Sequence, residues 1–133
     1  MSRIQSKNTK PEIAVRTHLY SKGVRYRLHN KHLPGKPDIT IGKLKTAIFV
    51  HGCFWHHHND CKRASWPKTN KDYWKMKIVN NITRDNQNIQ SLMETGWNNL
   101  IIWECEIKVI KDNKKLNIVI DKYNNINKGI KIV

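Results

Sequence analysis

Apolar residues recur at the spacing of a helix near the start of the chain. Thr9 is a favourable N-cap, Pro11 lies in the first turn, and Glu12 suits the positive end of the helix dipole. Gly23 then ends the segment, because glycine is common just after a helix C-terminus. The pattern predicts a first helix whose apolar stripe is formed by Ile13, Val15, Leu19 and Tyr20.

Three strands are predicted between residues 24 and 50. Residues 24–29 alternate apolar and polar side chains, with Val24, Tyr26 and Leu28 on one face. A turn of sequence Leu-Pro-Gly-Lys-Pro at residues 33–37 delivers the chain to a second strand, Ile39–Ile41. Lys45–Val50 is predicted as a third strand, more buried than the others because its apolar run is nearly continuous.

The remaining pattern predicts a long helix, another strand and a helix in the tail. Thr69 is expected to cap a helix that extends to about Met93 and is ended by Gly96. Asn98–Glu104 contains a core strand, and a tail helix is expected near Lys114–Tyr123. The last ten residues are expected to be loosely held. This order of elements predicts an α/β domain with a small mixed central sheet flanked by helices.

The net charge indicates the kind of partner. The 133 residues include 25 Lys and Arg against 10 Asp and Glu, and the resulting charge of +15 is typical of proteins that bind a polyanion. No apolar run approaches the roughly 20 residues of a membrane-spanning helix, so nucleic acid is favoured over a membrane. A genome rich in Lys and Asn codons is the alternative explanation for the basic composition.

Cysteine usage and the N-terminus indicate the compartment. Three cysteines is an odd number, which argues against a disulfide framework and for metal ligands or free thiols. Nothing in the first residues resembles a secretion signal. Both features favour a protein of the reducing cytoplasm.

Metal-binding side chains are densest between His51 and Cys61. This run holds two thiols, four imidazoles, a Phe and a Trp, and thiolate and imidazole are ligands that suit zinc. A tetrahedral structural site needs four ligands, for which the sequence offers Cys53, His58, Cys61 and Cys105. His57 competes with His58 for the imidazole position. Unrelated free thiols beside a chance run of histidines are the alternative.

Candidate catalytic groups occur where two predicted strands meet the loops. Asp38 begins the second strand and His51 ends the third, and a carboxylate beside a polar group on the neighbouring strand is common in Mg²⁺-dependent nucleases. Proton transfer needs a group that titrates near neutrality, for which His51 and His56 both qualify. Glu12 can orient a histidine or complete an acidic cluster. An Asp that follows a Pro is also a common turn residue.

Several motifs stand in a characteristic order along the chain. The main ones are PGKPD at residues 34–38, AIFVHGCFWH at 47–56 and IWEC at 102–105, with further matches at 2–4, 7–12 and 66–69. Together they closely resemble the very-short-patch mismatch repair endonuclease (Vsr) family over roughly residues 1–106. The resemblance implies a restriction-endonuclease-like core, a structural Zn²⁺ ion in the loop and Mg²⁺-dependent nicking of duplex DNA. The implied target is a T:G mismatch left by deamination of 5-methylcytosine, cut 5′ to the T.

The resemblance also implies a role for individual residues. Asp38 matches the metal-binding aspartate, and Val50 matches a position whose backbone carbonyl helps to hold Mg²⁺. His51 matches a histidine at the metal site, and His56 the general base or acid with Glu12 as its partner. The implied zinc ligands are Cys53, His58, Cys61 and Cys105. The implied DNA-contacting aromatics are Phe54, Trp55 and Trp74.

The aromatic role has an independent physical basis. A T:G wobble pair stacks less well than its neighbours, so a wedge there costs a few kcal/mol or less per step. Stacking of a ring on a base returns about 1–3 kcal/mol. For Trp74, packing in the core of the long helix is the alternative.

Two departures from the family pattern concern the metal sites. Phe49-Val50-His51 stands where the wider superfamily has Glu-x-Lys, which implies a catalytic site with one carboxylate. Some Vsr members have Thr where Val50 stands. One extra residue, in Asn59-Asp60, precedes the second loop cysteine and leaves the choice between His57 and His58 open.

A single nuclease domain spanning residues 1–133 is the favoured organisation, expected to act as a monomer. Residues 1–10 are interpreted as an N-terminal arm, shorter than in other family members, and residues 107–133 as a C-terminal tail without an assigned role. Two alternatives remain: a zinc-stabilised DNA-binding module without catalysis, and a nuclease of the same fold with another specificity. The non-catalytic module would not need Asp38, His51 and His56 together.

Overall fold

A computed structural model describes residues 9–59 and 61–128. Most of the predicted N-terminal arm, Asp60 and the last five residues therefore lie outside the described part of the chain. Within it, the helices are α1 (Lys10–Ser21), α2 (Lys71–Glu94) and α3 (Lys114–Asn127). The strands are β1 (Arg27–Leu28), β2 (Ile39–Ile41), β3 (Thr46–His51) and β4 (Asn98–Trp103).

The strands form one mixed sheet in the order β1-β2-β3-β4. The first two pairings are antiparallel, and β3 and β4 run parallel. Ile48 in the middle of β3 lies opposite Ile39 of β2 and Leu100 of β4. The antiparallel register brings the start of β2 beside the end of β3. The predicted α/β architecture with a small mixed sheet is confirmed.

Helix α1 begins and ends where the sequence predicts. The Thr9 side chain accepts a hydrogen bond from the Glu12 amide, and Gly23 adopts a positive φ of 87° after the last turn. The predicted apolar stripe is only half right, because Ile13 and Tyr20 are exposed at 41% and 60%. The buried face consists of Glu12, Val15, His18 and Leu19. A carboxylate thus occupies the inner face of the first helical turn.

Strand β1 is much shorter than predicted. Only Arg27 and Leu28 pair with β2, whereas Val24 is buried in the core and Leu28 is exposed. The partner strand has three residues, so the ladder has no room for the six predicted positions. His29 ends the pairing with a left-handed φ of 51°.

Helix α2 starts slightly later than expected. Asn70, not Thr69, is the N-cap, and it adopts a left-handed conformation without a side-chain cap. The end near Gly96 is confirmed by its φ of 86°. Along its 24 residues only Ile78 and Leu92 are fully buried. The helix therefore presents several polar side chains to the loop that follows β3.

The tail contributes to the hydrophobic core. The predicted tail helix is confirmed as α3, which extends beyond Tyr123 through residues expected to be loosely held. Its buried side chains pack with α1 and the sheet in one core cluster: Leu116, Val119, Ile120 and Tyr123. Across residues 9–59 and 61–128, no helix combines the length and apolar character needed to cross a membrane.

Candidate active site and metal centre

All four residues predicted as catalytic line one open cavity of about 840 Å³. The cavity lies where the start of β2, the end of β3 and the middle of α2 meet. Two aromatic residues of the loop after β3 also form part of its wall. The residues concerned are Glu12, Asp38, His51, His56, Phe54 and Trp55.

Asp38 is fixed by the pairing of β2 and β3. Its Oδ2 accepts a 2.7 Å hydrogen bond from the Val50 amide. Burial raises the pKa of Asp38 to about 6, the Val50 amide opposes the shift, and the nearby carboxylate of Glu12 adds to it. Burial and a neighbouring carboxylate both disfavour the ionised form of Asp38, and a bound cation would offset that effect.

Glu12 contacts different partners from the one predicted. It is only 1% exposed, and its Oε2 accepts hydrogen bonds from His29 Nε2 at 2.9 Å and Arg16 Nη1 at 3.2 Å. Among the described residues Glu12 thus contacts His29 and Arg16 while His56 contacts Asp85, and a catalytic partnership of Glu12 with His56 stays a prediction. His29 also donates its backbone amide to the Asp38 carbonyl at 3.0 Å. This histidine, which the sequence placed on the polar face of a strand, thus contacts both acidic residues.

His51 and His56 form a stacked pair. Their ring centroids are 3.8 Å apart and their planes differ by 5°. His51 is 6% exposed, and its buried Nδ1 has no hydrogen-bond partner within the described chain. Burial and then His56 lower the pKa of His51 to about 4, while Asp85 opposes the shift. His51 is therefore neutral near pH 7.

Asp85 is a site residue that sequence reasoning missed. It lies on α2, and its Oδ2 is 2.5 Å from His56 Nδ1. A carboxylate can only accept, so the Nδ1 position carries the hydrogen and Nε2 remains available. One helical turn earlier, Asn81 donates to the Trp55 carbonyl at 3.0 Å. Helix α2 therefore holds both the loop and its histidine.

The two histidines and Asp85 are arranged for proton transfer more than for metal binding. One ligand atom from each lies within 4.8 Å of the others, as a metal site would require. However, imidazole lone pairs lie in the ring planes, and parallel planes stacked 3.8 Å apart do not converge on one ion. The Asp–His bond instead fixes the tautomer and orientation of His56, as in acid–base catalytic pairs.

A second group of ligands lies in the loop after β3. Cys53, His58, Cys61 and Cys105 place one ligand atom each within 4.8 Å of one another. His58 Nδ1 is 3.7 Å from Cys53 Sγ and 3.4 Å from Cys105 Sγ. His57 instead packs its ring against Trp66, with centroids 4.4 Å apart. Three thiols and one imidazole can hold a metal ion, and this donor set fits tetrahedral zinc.

The sheet brings these ligands together. Because β4 runs parallel to β3, Cys105 emerges at the same edge as Cys53. Glu104 Oε1 accepts a 3.0 Å hydrogen bond from the Cys53 amide, and the His58 ring stacks on Trp103 with centroids 4.2 Å apart. The ligand group is thus built on rigid strand ends as well as on the loop.

An aromatic cluster adjoins the cavity. Phe54, Trp55 and Trp74 contact one another edge to face, with centroids 5.2–5.6 Å apart. All three are half-buried, so Trp74 is not sequestered in the helix core. Lys77 Nζ lies 5.4 Å from the centre of the Trp55 ring. The cluster combines ring faces with a positive charge, as expected for contact with nucleic acid.

Comparison with known proteins reveals close relatives. Residues 1–63 match the family model for the DNA mismatch endonuclease Vsr. The chain is 46% identical over 108 residues to the type II nicking enzyme V.NmeAIP of Neisseria meningitidis, covering 81% of this chain and 76% of that protein. It is 47% identical over 107 residues to the type II nicking enzyme V.XorIIP of Xanthomonas oryzae, covering 80% and 78%. It is 38% identical over 108 residues to the DNA mismatch endonuclease Vsr of Escherichia coli, covering 81% and 69%.

Proposed function

Because this chain belongs to the Vsr family of DNA mismatch endonucleases, and so is an endonuclease and a hydrolase, we propose that it nicks duplex DNA 5′ to the T of a T:G mismatch. The proposed reaction depends on Mg²⁺ and serves very short patch repair of deaminated 5-methylcytosine. The protein would act as a monomeric, single-domain enzyme in the bacterial cytoplasm. The observation that carries this proposal is the single cavity shared by Asp38, His51 and the His56–Asp85 pair, with the aromatic cluster beside it.

The acidic part of the cavity fits a divalent cation. Asp38 and the Val50 carbonyl would hold Mg²⁺, which neutralises charge on the reacting phosphate and activates water when bound. The elevated pKa of Asp38 supports this assignment, since a cation stabilises its ionised form. Glu12, kept buried by His29 and Arg16, supplies the second negative charge of the pocket.

Proton transfer is assigned to the stacked histidines. Asp85 holds the Nδ1–H of His56, so Nε2 of that ring can take a proton from the attacking water or return one to the leaving oxygen. Neutral His51 lies against the same ring and adds no positive charge that would oppose its protonation. Asp85 stabilises the imidazolium form.

Mismatch recognition is assigned to the aromatic cluster. Phe54 and Trp55 lie in the loop that carries His56, so insertion of their rings into a weakly stacked step would also position the catalytic histidine. Trp74 supports both rings from α2. A Zn²⁺ ion at Cys53, His58, Cys61 and Cys105 would keep this loop rigid while the rings enter the duplex.

A nuclease of the same fold with a different sequence context is the second candidate. The Neisseria and Xanthomonas relatives, described as type II nicking enzymes, favour it because they are more similar to this chain than the Escherichia coli protein is. The two candidates share the cavity and differ in the DNA sequence that surrounds the nick.

A nicking assay on end-labelled duplexes tests the proposal. The substrates are a T:G mismatch in a CT(A/T)GG context, the same mismatch in scrambled flanks, and a matched duplex. Cutting 5′ to the mismatched T, dependent on Mg²⁺ and lost in Asp38→Ala, is the expected result. Cutting of only the scrambled mismatch would support the second candidate. Equal cutting of matched and mismatched duplexes would refute mismatch specificity.

A further inference from the structure

The cavity is acidic although the protein is strongly basic. Four carboxylates line it, and they oppose the approach of a DNA phosphate: Glu12, Asp38, Asp85 and Glu104. Among the described residues of its lining, Lys36 alone has a lysine or arginine side chain. Arg16 and Arg63 lie outside the lining and are each engaged by one of these carboxylates, Arg16 with Glu12 at 3.2 Å and Arg63 with Glu104 at 3.9 Å. Surface charges more than about 10 Å away are screened by salt.

The backbone at Lys36 is held in a costly conformation. Its φ is 48°, in the left-handed region, and it directly precedes Pro37, a position that disfavours helical backbone. The Lys36 amide donates to the Leu33 carbonyl at 3.1 Å. Gly or Asn would adopt such a conformation more easily. A lysine kept in strained backbone at a cavity wall points to use of its side chain.

The turn that carries Lys36 is pinned against the site. Gly35 has a φ of 80°, and a Cβ there would lie 3.0 Å from Asn88 Cβ on α2 and 3.1 Å from the Phe49 ring on β3. Three residues after Gly35, the same turn delivers Asp38 to the cavity. The lysine therefore stands on a fixed support immediately before the acidic centre.

We propose that Lys36 binds the phosphate of the DNA linkage that is cut, as the cation that the chain itself supplies to the cavity. The inference rests on the proposed function in that the ligand is a DNA strand. A flexible ammonium group suits a phosphate as a point charge. This role would differ from that of lysines outside the cavity, because Lys36 belongs to the cavity wall and they do not.

Charge removal at matched positions tests this role. Lys36→Asn removes the cation with a residue that tolerates positive φ, and Lys36→Arg retains the cation. Lys31→Asn is the control, an exposed lysine in the same segment between β1 and β2 that does not line the cavity. Two readouts are needed: duplex affinity as a function of NaCl without Mg²⁺, and the single-turnover nicking rate with Mg²⁺.

The expected results distinguish a specific role of Lys36 in the cavity from a general contribution of positive charge to DNA binding. Lys36→Asn should reduce the salt slope of binding by about one and slow nicking roughly ten-fold or more, with unchanged or higher Tm. Lys36→Arg should keep both the salt slope of binding and the nicking rate near wild type. Lys31→Asn should nick at the wild-type rate. Wild-type slope and rate in Lys36→Asn, or equal losses in both Asn variants, would overturn the proposal. A wild-type protein that binds duplex without preferring T:G refutes the proposed substrate, whereas the slopes still decide the role of Lys36.

Discussion

His56 Nδ1 and Asp85 Oδ2 lie 2.5 Å apart, although 29 residues separate them in the chain. One belongs to the loop after β3 and the other to the middle of α2. The contact exists because α2 runs past the loop and also holds it through Asn81. Their bond therefore depends on the docking of a long, largely exposed helix.

Asp85→Asn should slow nicking by about 10²–10⁴-fold, because an amide can hold the wrong tautomer of His56. Single-turnover rates measure this loss, and duplex affinity should remain near wild type. Asp72→Asn, on the exposed first turn of the same helix, is the matched control. A full wild-type rate in Asp85→Asn would remove the pair from the mechanism.

Asp38 should make activity and stability respond oppositely to pH. Only the ionised carboxylate binds a cation well, so Mg²⁺ affinity should fall as the pH drops through about 6. The folded-state pKa exceeds the usual 3.8, so its stabilising contribution is present below that pH and is lost as the pH rises through about 6.

Asp38→Asn removes this ionisation and should therefore be inactive yet more stable at pH 8. The rise of the pKa from 3.8 to about 6 corresponds to an expected gain without Mg²⁺ on the order of 3 kcal/mol, and the amide oxygen can still accept from Val50. Melting curves of both proteins between pH 4 and 8 measure it. Curves that stay parallel over that range would contradict the elevated pKa.

His29 should act by holding Glu12. His29→Gln retains an N–H donor, whereas His29→Leu leaves a buried carboxylate with one donor fewer, at a cost of about 1–3 kcal/mol. Both variants impose a similar cost at the left-handed φ, so their difference isolates the hydrogen bond. The Mg²⁺ concentration for half-maximal nicking should rise in the Leu variant and stay near wild type in the Gln variant. Equal behaviour of the two would assign the residue a backbone role only.

The loop histidines should differ in their effect on metal content. His58→Ala removes a ligand and should lower zinc stoichiometry and Tm together, as should Cys105→Ser. His57→Ala removes only a contact with Trp66 and should retain full zinc. Metal analysis of the purified variants measures the outcome. Loss of zinc in His57→Ala with retention in His58→Ala would reverse the assignment.

The features that the sequence predicted correctly are set by residues close to one another in the chain. The Thr9 cap, the glycines that end α1 and α2, and the tail helix all follow from residues within a few positions of one another. The short spacing between Cys53 and Cys61 likewise indicated a metal-binding loop. In each case the relevant interaction closes within one turn or one loop.

Long-range contacts were beyond such signals. Asp85 is one polar residue on an exposed helix, and nothing around it marks its partner in a distant loop. Glu12 was expected beside His56, but the helix buries it against His29 from the next element. The length of β1 was overestimated. Alternation of apolar and polar residues indicates which side chains share a face of a strand, but not how many residues of the neighbouring strand are available for pairing.

The division of the site along the chain bears on how related open reading frames are interpreted. The match to the family model ends at residue 63, yet Asp85 lies on α2 and Cys105 follows β4. A truncated gene that keeps only the segment up to this point would retain the PGKPD and AIFVHGCFWH motifs but would lose IWEC, which carries the cavity residue Glu104 and Cys105. Its product would have an unsupported histidine and a metal loop with one donor missing. A match confined to this opening half therefore does not by itself indicate a complete cavity or a complete metal centre.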